Sequence, residues 1–508
     1  MIKPRLPVKK NITTILSDMK FIIKNHDFKY ETEKVCRLFM PFEKFEFLAD
    51  GDENEGVYTA VEVNNEIATL TVSVNTGEKC EKREETIPQS LPQFENACEL
   101  KLAQMLYSCL SSLTDYRAEW GIVTGIRPVK LLRNLNEQEG CDGARRVFSE
   151  DFYVSDEKFN LTEACLKKEE KIISLSRPDN YSLYVSIPFC PSRCNYCSFV
   201  SHSVEKAKKL IPEYLDVLCE EIKTTAEIAN KLGLTLSTVY IGGGTPTSLS
   251  HTELEKLMKV IAENFPIASA LEYTVEAGRP DTITKEKLEV IKKYGATRIS
   301  INPQTMNDSV LEAIGRRHTS EETVKAFYLA REVGFDNINM DLIAGLTSDT
   351  VESFSATVDK LLELDPENIT IHTLSMKRAS NMTKASMFYG IEEGKAVSKM
   401  LSYAGEKLNG AGLLPYYMYR QNKTVGNLEN VGYSKEGYEG LYNIYIMDET
   451  HTILACGASA VTKLKNAYTG NIERIFNYKY PYEYINMYDE LVKRKDKIFE
   501  FYQDYKIN

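Results

Sequence analysis

Long hydrophobic runs are missing from this 508-residue sequence. No stretch approaches the roughly 18 apolar residues that suggest a membrane-spanning helix. The charged segment Met1–Lys10 is not followed by the apolar region that characterises a signal peptide. The sequence therefore predicts a chain without a membrane span, and a cytoplasmic location is the expectation.

Positive charge is also in deficit. Lys and Arg number 62 against 73 Asp and Glu, which gives a formal net charge of −11. Proteins that bind nucleic acid usually present a basic face, so nucleic acid is not expected to be the main partner. A local basic pocket for a small polyanionic substrate remains compatible with this charge balance.

Closely spaced cysteines occur in one place. The other cysteines are scattered, and in a large chain without secretory features they fit small buried hydrophobic positions rather than a disulfide framework. These scattered residues are Cys36, Cys80, Cys98, Cys109, Cys141, Cys165, Cys219 and Cys456. The exception is the group Cys190, Cys194 and Cys197, at Cys-x₃-Cys-x₂-Cys spacing.

The pattern of elements divides the chain into three predicted regions. Residues 1–170 form an α+β domain of unassigned role, with strands in Val57–Val63 and Ala68–Val74 and a helix over Glu95–Leu113. The charged segment Lys167–Asp179, which ends in a proline-containing stretch, reads as a linker into residues 171–378. Residues 379–508 form a second α+β region, expected to cover the substrate. That region has a helix over Lys395–Leu408, β-rich runs at Tyr442–Met447 and Thr452–Leu454, and a tyrosine-rich helical end.

Strands alternate with amphipathic helices across the middle region, a pattern that predicts βα units and a parallel sheet. The predicted strands are Leu183–Ile187, Thr238–Ile241, Glu272–Val275, Arg298–Ile301, Asn337–Leu342 and Asn368–Ile371. The predicted helices are Ile211–Lys231, Glu253–Asn264, Lys285–Tyr294, Glu321–Val333 and Glu352–Leu364. The fold class is therefore α/β, an open or partial (β/α)₆ barrel with functional residues after the carboxyl ends of its strands.

The cysteine group follows the first predicted strand of this barrel, so its thiolates can face one metal centre. Thiolates suit zinc or iron–sulfur clusters. A structural zinc site wants four ligands, and His202 is the only close alternative to a missing fourth cysteine. The spacing resembles the signature of the radical S-adenosylmethionine (SAM) superfamily. That resemblance implies a [4Fe–4S] cluster whose open iron binds SAM, and reductive cleavage of SAM to methionine and a 5′-deoxyadenosyl radical.

Polar and glycine-rich segments follow the later strands. Gly242–Thr247 is a glycine run that lets a ligand approach the backbone, and it fits neither a G-x-G-x-x-G nor a P-loop pattern. Further polar residues stand at or beyond the next strands: Glu276, Arg298, Ser300, Asn302, Gln304, Arg316, Arg317 and Asp341. Each alone fits a surface or capping residue, whereas their repetition at consecutive strand ends favours a shared site.

Several motifs together look like the coproporphyrinogen-oxidase-like branch of the superfamily: Tyr-x-x-Ile-Pro-Phe-Cys190, the glycine run, Asn302-Pro-Gln304, Gly315-Arg-Arg-His-Thr and Asp341-Leu-Ile-x-Gly-Leu. Trp120–Pro128, Tyr416–Tyr433 and Gly457-Ala-Ser-Ala resemble the HemZ-type subgroup. The resemblance implies that Tyr184, Gly243 and Glu276 contact the cluster-bound SAM. It also implies a second SAM site at Tyr196, Gly244, Thr245, Gln304, Arg316 and Asp341, with His372 in a comparable place.

The activity implied by the resemblance is oxidative decarboxylation of two propionates of coproporphyrinogen III, with electrons from a reductase, flavodoxin or ferredoxin. A tetrapyrrole with four carboxylates requires a cation-lined cavity. Its proposed contacts, each of which fits an exposed solvated charge equally well, are Lys377, Arg378, Arg420 and Lys423.

Two departures from the family pattern leave other functions open. Phe199 stands where the best-studied dehydrogenases have a further cysteine, and Ser186 stands where histidine is usual. A haem chaperone and a radical SAM methyltransferase acting on haem are the alternatives. His202 and His451 then become possible haem ligands, although a lone histidine is more often structural.

Overall fold

The structure is a computed structural model, and it describes residues 19–41, 43–197, 202–376 and 390–504. The chain divides into two compact units. The first takes residues from Met1–Thr162, Lys384–Ser398 and Arg420–Leu428, and the second takes the rest. None of the described helices combines the length and apolar character needed to cross a bilayer.

The first unit is built on a five-stranded sheet of order β2-β1-β3-β4-β5. Its strands are β1 (Met19–Lys24), β2 (Phe45–Leu48), β3 (Gly56–Asn64), β4 (Ile67–Asn75) and β5 (Cys80–Pro88), and its helices are α1 (Lys29–Phe39), α2 (Phe94–Thr114) and α3 (Pro128–Arg146). Alternating side chains of β3 and β4 pack against α1 and α2 in one hydrophobic core. The strands and the helix predicted here are confirmed.

The second unit holds the larger sheet. The strands of this unit are β6 (Asn180–Ile187), β7 (Phe189–Cys190), β8 (His202–Ser203), β9 (Thr235–Gly243), β10 (Glu272–Gly278), β11 (Arg298–Gln304), β12 (Ile338–Ala344), β13 (Asn368–Thr373), β14 (Leu414–Arg420), β15 (Glu429–Ser434), β16 (Thr452–Cys456), β17 (Val461–Lys465) and β18 (Ile472–Phe476). The short strands β7 and β8 form a separate two-stranded sheet, and the other 11 strands form the larger sheet.

The remaining helices lie along the same part of the chain, with α4, α12 and β14 each running across a boundary between the two units. They are α4 (Asp156–Ile173), α5 (Val204–Ala207), α6 (Ile211–Lys231), α7 (His251–Asn264), α8 (Lys285–Lys293), α9 (Asp308–Ala313), α10 (Ser320–Val333), α11 (Val351–Leu364), α12 (Ile391–Gly410), α13 (Leu441–Asp448), α14 (Pro481–Asn486) and α15 (Tyr488–Asp504). Capping boxes start two of them, because Ser250 caps α7 together with Glu253 and Thr319 caps α10 together with Glu322.

Six parallel strands form the centre of the larger sheet, in the order β6-β9-β10-β11-β12-β13. Helices connect most of them, so the α/β prediction of a partial (β/α)₆ barrel is confirmed. The sheet continues beyond both edges of this barrel. Antiparallel β15 extends it past β13, and β16 adds a further strand parallel to β6, followed by β17 and β18.

Two expectations were wrong. Tyr442–Met447 is not a strand but belongs to α13, although its residues favour strands. Here tertiary contacts override propensity, because the buried Glu272 carboxylate accepts hydrogen bonds from the Leu441 and Tyr442 amides at the helix start. The expected linker at Lys167–Asp179 is helical as far as Ile173. The three-region division of the chain stays a prediction.

Candidate functional site

The cysteine loop and the glycine run lie against each other at the carboxyl ends of β6 and β9. Ser186 pairs with Gly242 and Ile187 with Gly243 in the parallel register. The Thr245 amide donates to the Phe189 carbonyl oxygen over 2.8 Å, and the Thr245 hydroxyl lies 3.6 Å from Cys190 Sγ. A Cβ added to Gly244 would lie only 2.6 Å from the Phe189 oxygen and 2.9 Å from Cys190 Sγ. The motifs predicted to share a site are therefore in contact, and glycine at 244 allows that contact.

The loop that carries the three cysteines is anchored on both sides. Cys194 is buried, and Cys190 and Cys197 are partly exposed. The Asn195 amide donates to the Ile314 carbonyl oxygen over 3.0 Å, and its side chain donates to the Ala313 oxygen over 3.1 Å. The loop is thus held against the segment that follows α9.

Arg316 and Tyr196 meet beside this loop. The Arg316 guanidinium donates to the Tyr196 hydroxyl over 2.8 Å and to the Asn302 carbonyl oxygen over 3.3 Å. Burial raises the pKa of Tyr196, so the phenol stays neutral. Gln304, two residues after Asn302, is buried with a φ of +71°. A non-glycine residue at positive φ is uncommon and marks a locally constrained backbone.

Three tyrosine rings stack inside the barrel. The Tyr240 ring lies 4.5 Å from the Tyr442 ring, and the Tyr184 ring lies 6.2 Å from each, centroid to centroid. The Tyr240 hydroxyl donates to Glu276 Oε1 over 2.6 Å. Burial raises the pKa of Glu276 to about 7, and the Asp341 charge adds to that effect, whereas the hydrogen bond from Tyr240 opposes it. The Glu276 carboxyl group therefore titrates near neutral pH.

A second acidic group stands in the middle of β12. Asp341 accepts a 2.7 Å hydrogen bond from the Asn339 side chain, and its Oδ2 lies 3.8 Å from His372 Nε2. Burial alone would raise the Asp341 pKa, but the neighbouring His372 and the hydrogen bond from Asn339 hold that pKa below its usual value. The Tyr419 hydroxyl lies 3.2 Å from His372 Nδ1. The two carboxyl groups thus have opposite pKa shifts: Glu276 is partly protonated at neutral pH, and Asp341 is ionised.

Comparison with known proteins assigns this arrangement to a family. The model of the Radical SAM superfamily matches residues 184–361. The chain is 40% identical to the oxygen-independent coproporphyrinogen-III oxidase-like protein HemZ of Bacillus subtilis over 407 residues, which cover 78% of this chain and 81% of that protein. The chain belongs to the HemZ-like branch of the radical SAM superfamily.

Two other similarities bear on the family. The chain is 40% identical to the haem chaperone HemW of Bacillus subtilis over 194 residues, 38% of this chain and 50% of that protein. Its fold resembles the solved structure of Escherichia coli coproporphyrinogen III oxidase, a radical SAM enzyme, with a TM-score of 0.50. That match has 24% identity and covers 63% of this chain and 72% of the other, so it concerns the fold alone.

Radical SAM family members use a [4Fe–4S] cluster and SAM, and the donor set of this chain fits both. Among the described residues no three His, Cys, Asp or Glu side chains are grouped as ligands of a single metal ion. A four-iron cluster is larger and takes each thiolate on a different iron, as three spaced cysteines on one loop permit. A Cβ at Gly243 would meet Ser186 and Ile187, and one at Gly244 would meet Phe189 and Cys190, so glycine at both positions lets this backbone lie against the segment that leads into the cysteine loop.

The expected substrate contacts are not brought together by the described structure. Lys377, Arg378 and also Phe199 lie outside the described residues. Arg420 is buried in the first unit, where its guanidinium donates to the Val123 and Asn427 carbonyl oxygens and lies 4.9 Å from the Trp120 ring. This placement gives Arg420 a packing role in its own unit. Lys423, in the same unit, is exposed with a φ of +64°.

The two histidines considered as possible haem ligands make contacts within the protein that fit a structural role. His451 is buried, with Nδ1 2.7 Å from the Ser176 hydroxyl and Nε2 2.8 Å from the Ser182 hydroxyl. Burial lowers the His451 pKa to about 3, so the ring is neutral. The His202 ring packs edge-on against the Tyr480 ring.

Sequence reasoning missed several residues of this site. Tyr240 and Tyr442 carry no motif of their own, and Tyr442 was assigned to a strand. The only sequence signal for Tyr240 is its position two residues before the glycine run, at the carboxyl end of a barrel strand. Arg279 and Asp281, three and five residues after Glu276, also belong to no recognised motif, yet they form an ion pair that contacts the cysteine loop through Ser192.

Proposed function

We propose that this chain is an oxygen-independent coproporphyrinogen III dehydrogenase. Each of two propionate side chains of the substrate loses a β-hydrogen atom to the SAM-derived radical, one electron to an external one-electron acceptor, and CO₂, and protoporphyrinogen IX results. The observation that carries the proposal is the set of polar groups on three barrel strands, Glu276, Asp341 and His372, with Glu276 against the glycine run that contacts the cysteine loop. The 40% identity to the HemZ protein over most of both chains supports the same reading.

In this proposal Cys190, Cys194 and Cys197 hold the cluster by their thiolates. When bound, the cluster and SAM supply a radical that removes a hydrogen atom from the substrate. Tyr184, Gly243 and Glu276 contact the SAM at the cluster. The Glu276 carboxylate accepts from the SAM ammonium group, and Tyr240 orients that carboxylate through its hydrogen bond.

A second SAM site is also proposed, on the groups around Arg316. Its residues are Tyr196, Gly244, Thr245, Gln304, Arg316, Asp341 and His372. The anionic Asp341 suits ribose hydroxyls, and the Arg316 guanidinium suits a carboxylate. Arg316 already bonds Tyr196, so a carboxylate there would share its donors.

Cationic contacts for the substrate carboxylates stay predictions. Lys377, Arg378 and Lys423 are the residues proposed, and Arg420 is left out because its guanidinium is buried against carbonyl oxygens and Trp120. The electron donor is proposed to be a separate reductase or a small flavodoxin- or ferredoxin-type protein.

The experiment is an anaerobic turnover assay. The chain is reconstituted with iron and sulfide, then supplied with dithionite, SAM and coproporphyrinogen III, and the oxidised porphyrins are separated. We expect protoporphyrin in wild type and none in Cys194→Ala. Full cluster loading with SAM cleavage but no vinyl product would overturn the proposal.

A haem chaperone is the second candidate, favoured by 40% identity to the HemW protein over 194 residues. The same preparation distinguishes the two functions. Stoichiometric haem binding that survives gel filtration, without consumption of coproporphyrinogen III, would favour the chaperone. Methylated haem together with S-adenosylhomocysteine would indicate a methyltransferase instead.

A further inference from the structure

An ion pair with a buried guanidinium lies directly against the cysteine loop. Arg279 is 3% exposed, and its guanidinium donates to both carboxylate oxygens of Asp281, over 2.9 Å to Oδ1 and 2.7 Å to Oδ2. The third nitrogen, Nη1, donates to the Ser192 hydroxyl over 2.7 Å and to the Ser192 carbonyl oxygen over 3.3 Å. Ser192 stands between Cys190 and Cys194, so the guanidinium joins the end of β10 to the loop that carries the thiolates.

The local sequence explains why Arg279 points at this loop. The register between β10 and β11 shifts between Glu276 and Gly278, and such a bulge re-aims the side chains that follow it. Gly278 adopts a φ of +66°, which glycine tolerates without steric cost. Pro280 then starts a short 3₁₀ turn with Asp281 in its first turn, which brings the carboxylate back to the guanidinium.

Further hydrogen bonds make the turn rigid. The Thr282 hydroxyl donates to the Arg279 carbonyl oxygen over 2.8 Å and lies 2.6 Å from the Thr247 hydroxyl. The Lys287 ammonium donates to the carbonyl oxygens of Thr247 and Thr282. The position of the guanidinium is thus set by the strand ends of β9 and β10, and the loop residue Ser192 is the partner that it holds in place.

The positive charges beside the cysteine loop outnumber the negative ones. Arg279 is a buried cation bonded to Ser192 of the loop, Arg316 is a partly exposed cation bonded to Tyr196 of the loop, and Asp281 is the partly exposed anion paired with Arg279. His318 lies beside them and is neutral at pH 7, because burial and the neighbouring Arg316 lower its pKa to about 4. One positive charge therefore remains uncompensated among these four groups, and a cation close to a cluster favours the form that has gained an electron.

We propose that Arg279 is a positioning residue with two effects. Its guanidinium, fixed by two bonds to Asp281, holds Ser192 through Nη1 and so orders the cysteine loop, and its charge raises the reduction potential of the cluster. The proposal rests on the proposed function in one respect, that Cys190, Cys194 and Cys197 hold the cluster. The guanidinium geometry carries the first effect and the buried charge carries the second, so different substitutions separate them. Lysine keeps the charge but cannot form the two parallel bonds of the fork.

The test compares Arg279→Lys, Arg279→Gln and Ser192→Ala with wild type. Arg331→Gln is the matched control, since Arg331 also pairs with a carboxylate at 2.8 Å and donates to carbonyl oxygens, but Glu367, Phe335 and Asp365 are its partners. Hydrogen exchange is measured on the apo-protein at the Asn195 amide, which donates to Ile314. The reduction potential is then measured by electron paramagnetic resonance during a redox titration of reconstituted protein.

We expect the Asn195 amide to exchange roughly tenfold faster in all three loop variants, equivalent to losing about 1.4 kcal/mol of local protection, and to be unchanged in Arg331→Gln. The potential should become more negative in Arg279→Gln and stay near wild type in Arg279→Lys and Ser192→Ala. Unchanged exchange in Arg279→Lys and Ser192→Ala overturns the clamp, and an unchanged potential in Arg279→Gln overturns the charge effect.

Misfolding of Arg279→Gln would not prevent the test of the clamp, because Ser192→Ala removes only the hydroxyl that accepts from Arg279. The charge effect would then be read from Asp281→Asn, which removes the anion and should shift the potential upward. An unshifted potential in that variant overturns the charge effect. Failure of wild type to load a cluster would instead contradict the proposed function, while the exchange measurements on the apo-protein would still decide the clamp.

Discussion

The Tyr240 hydroxyl donates its hydrogen bond to Glu276 at 2.6 Å, from the neighbouring strand of the barrel. Burial raises the Glu276 pKa to about 7, and this bond opposes the rise because it favours the charged carboxylate. If Glu276 accepts from the SAM ammonium group, only its ionised form is effective. The two residues therefore link SAM affinity to pH near neutrality.

The first prediction concerns that pH dependence. Raising the pH through 7 ionises Glu276, so SAM affinity should rise by about tenfold between pH 6 and pH 8 and level off above that. In Tyr240→Phe the carboxylate loses a donor, and the midpoint of the rise should move to higher pH. Isothermal titration of reconstituted protein with SAM at a series of pH values measures both effects.

The control for this prediction is Tyr273→Phe. Tyr273 is also buried, and its hydroxyl has no hydrogen-bond partner among the described residues. Its pH profile should match that of wild type, whereas Glu276→Gln should bind SAM weakly and with a flat profile. A profile in Glu276→Gln that keeps the wild-type midpoint would assign the titration to another group.

The second prediction concerns the contact between Gly244 and the cysteine loop. Gly244→Ala places a methyl group 2.6 Å from the Phe189 oxygen, so backbone must move beside Cys190. We expect cluster loading to fall severalfold, measured as iron and sulfide per chain after reconstitution. Gly410→Ala is the control, because nothing lies within 4 Å of the added atom. Equal cluster loading in the two variants would show that glycine at position 244 is not needed for the cluster to bind.

The third prediction separates the cysteine group from the other thiols. Alanine at Cys190, Cys194 or Cys197 should abolish the visible absorbance of the reconstituted cluster. Cys219→Ala, at a buried cysteine on α6, should retain it. A cluster spectrum that survives substitution of any one of the three would show that another ligand replaces it.

The fourth prediction concerns stability rather than the site. Glu221 is fully buried and accepts hydrogen bonds from Tyr484, Asn477 and the Gly457 amide, with the Lys495 ammonium at 3.0 Å. Glu221→Gln leaves that ammonium buried without its counter-charge and should destabilise the chain by about 3 kcal/mol. Chemical denaturation followed by circular dichroism measures this loss.

A surface pair supplies the comparison for Glu221. Glu255 accepts from Lys293 in an exposed ion pair, where solvent screens the attraction. Glu255→Gln should therefore leave the denaturation midpoint close to that of wild type. Equal midpoints for Glu221→Gln and Glu255→Gln would mean that the buried pair adds nothing to stability.

The barrel itself was predictable from sequence because its signals are local. Hydrophobic strands alternate with amphipathic helices, and Ser250 and Thr319 mark helix starts with capping boxes that span four residues. The cysteine spacing and the glycine run are equally local, and their contact follows from the pairing of the first two barrel strands. The strands beyond the barrel edges depend on long-range pairing. The sequences of β15 and β16 therefore do not indicate that they pair with β13 and β6.

Residues that depend on distant partners were not predictable. Tyr442 was expected in a strand because aromatic and β-branched residues favour strands, and a carboxylate 170 residues away, Glu272, starts a helix there instead. Arg420 looked like a free cation in sequence, yet its partners are Val123 and Trp120. Arg279 was missed because its partner Ser192 lies 87 residues earlier.

The most direct test of the proposed dehydrogenase activity follows the hydrogen atom that leaves each propionate of the substrate. Coproporphyrinogen III deuterated at the β-carbon of its propionates is incubated anaerobically with the reconstituted chain, reductant and SAM. We expect deuterium in the 5′-deoxyadenosine that is released, together with vinyl-containing porphyrin, both measured by mass spectrometry. Unlabelled 5′-deoxyadenosine with intact propionates would contradict that activity.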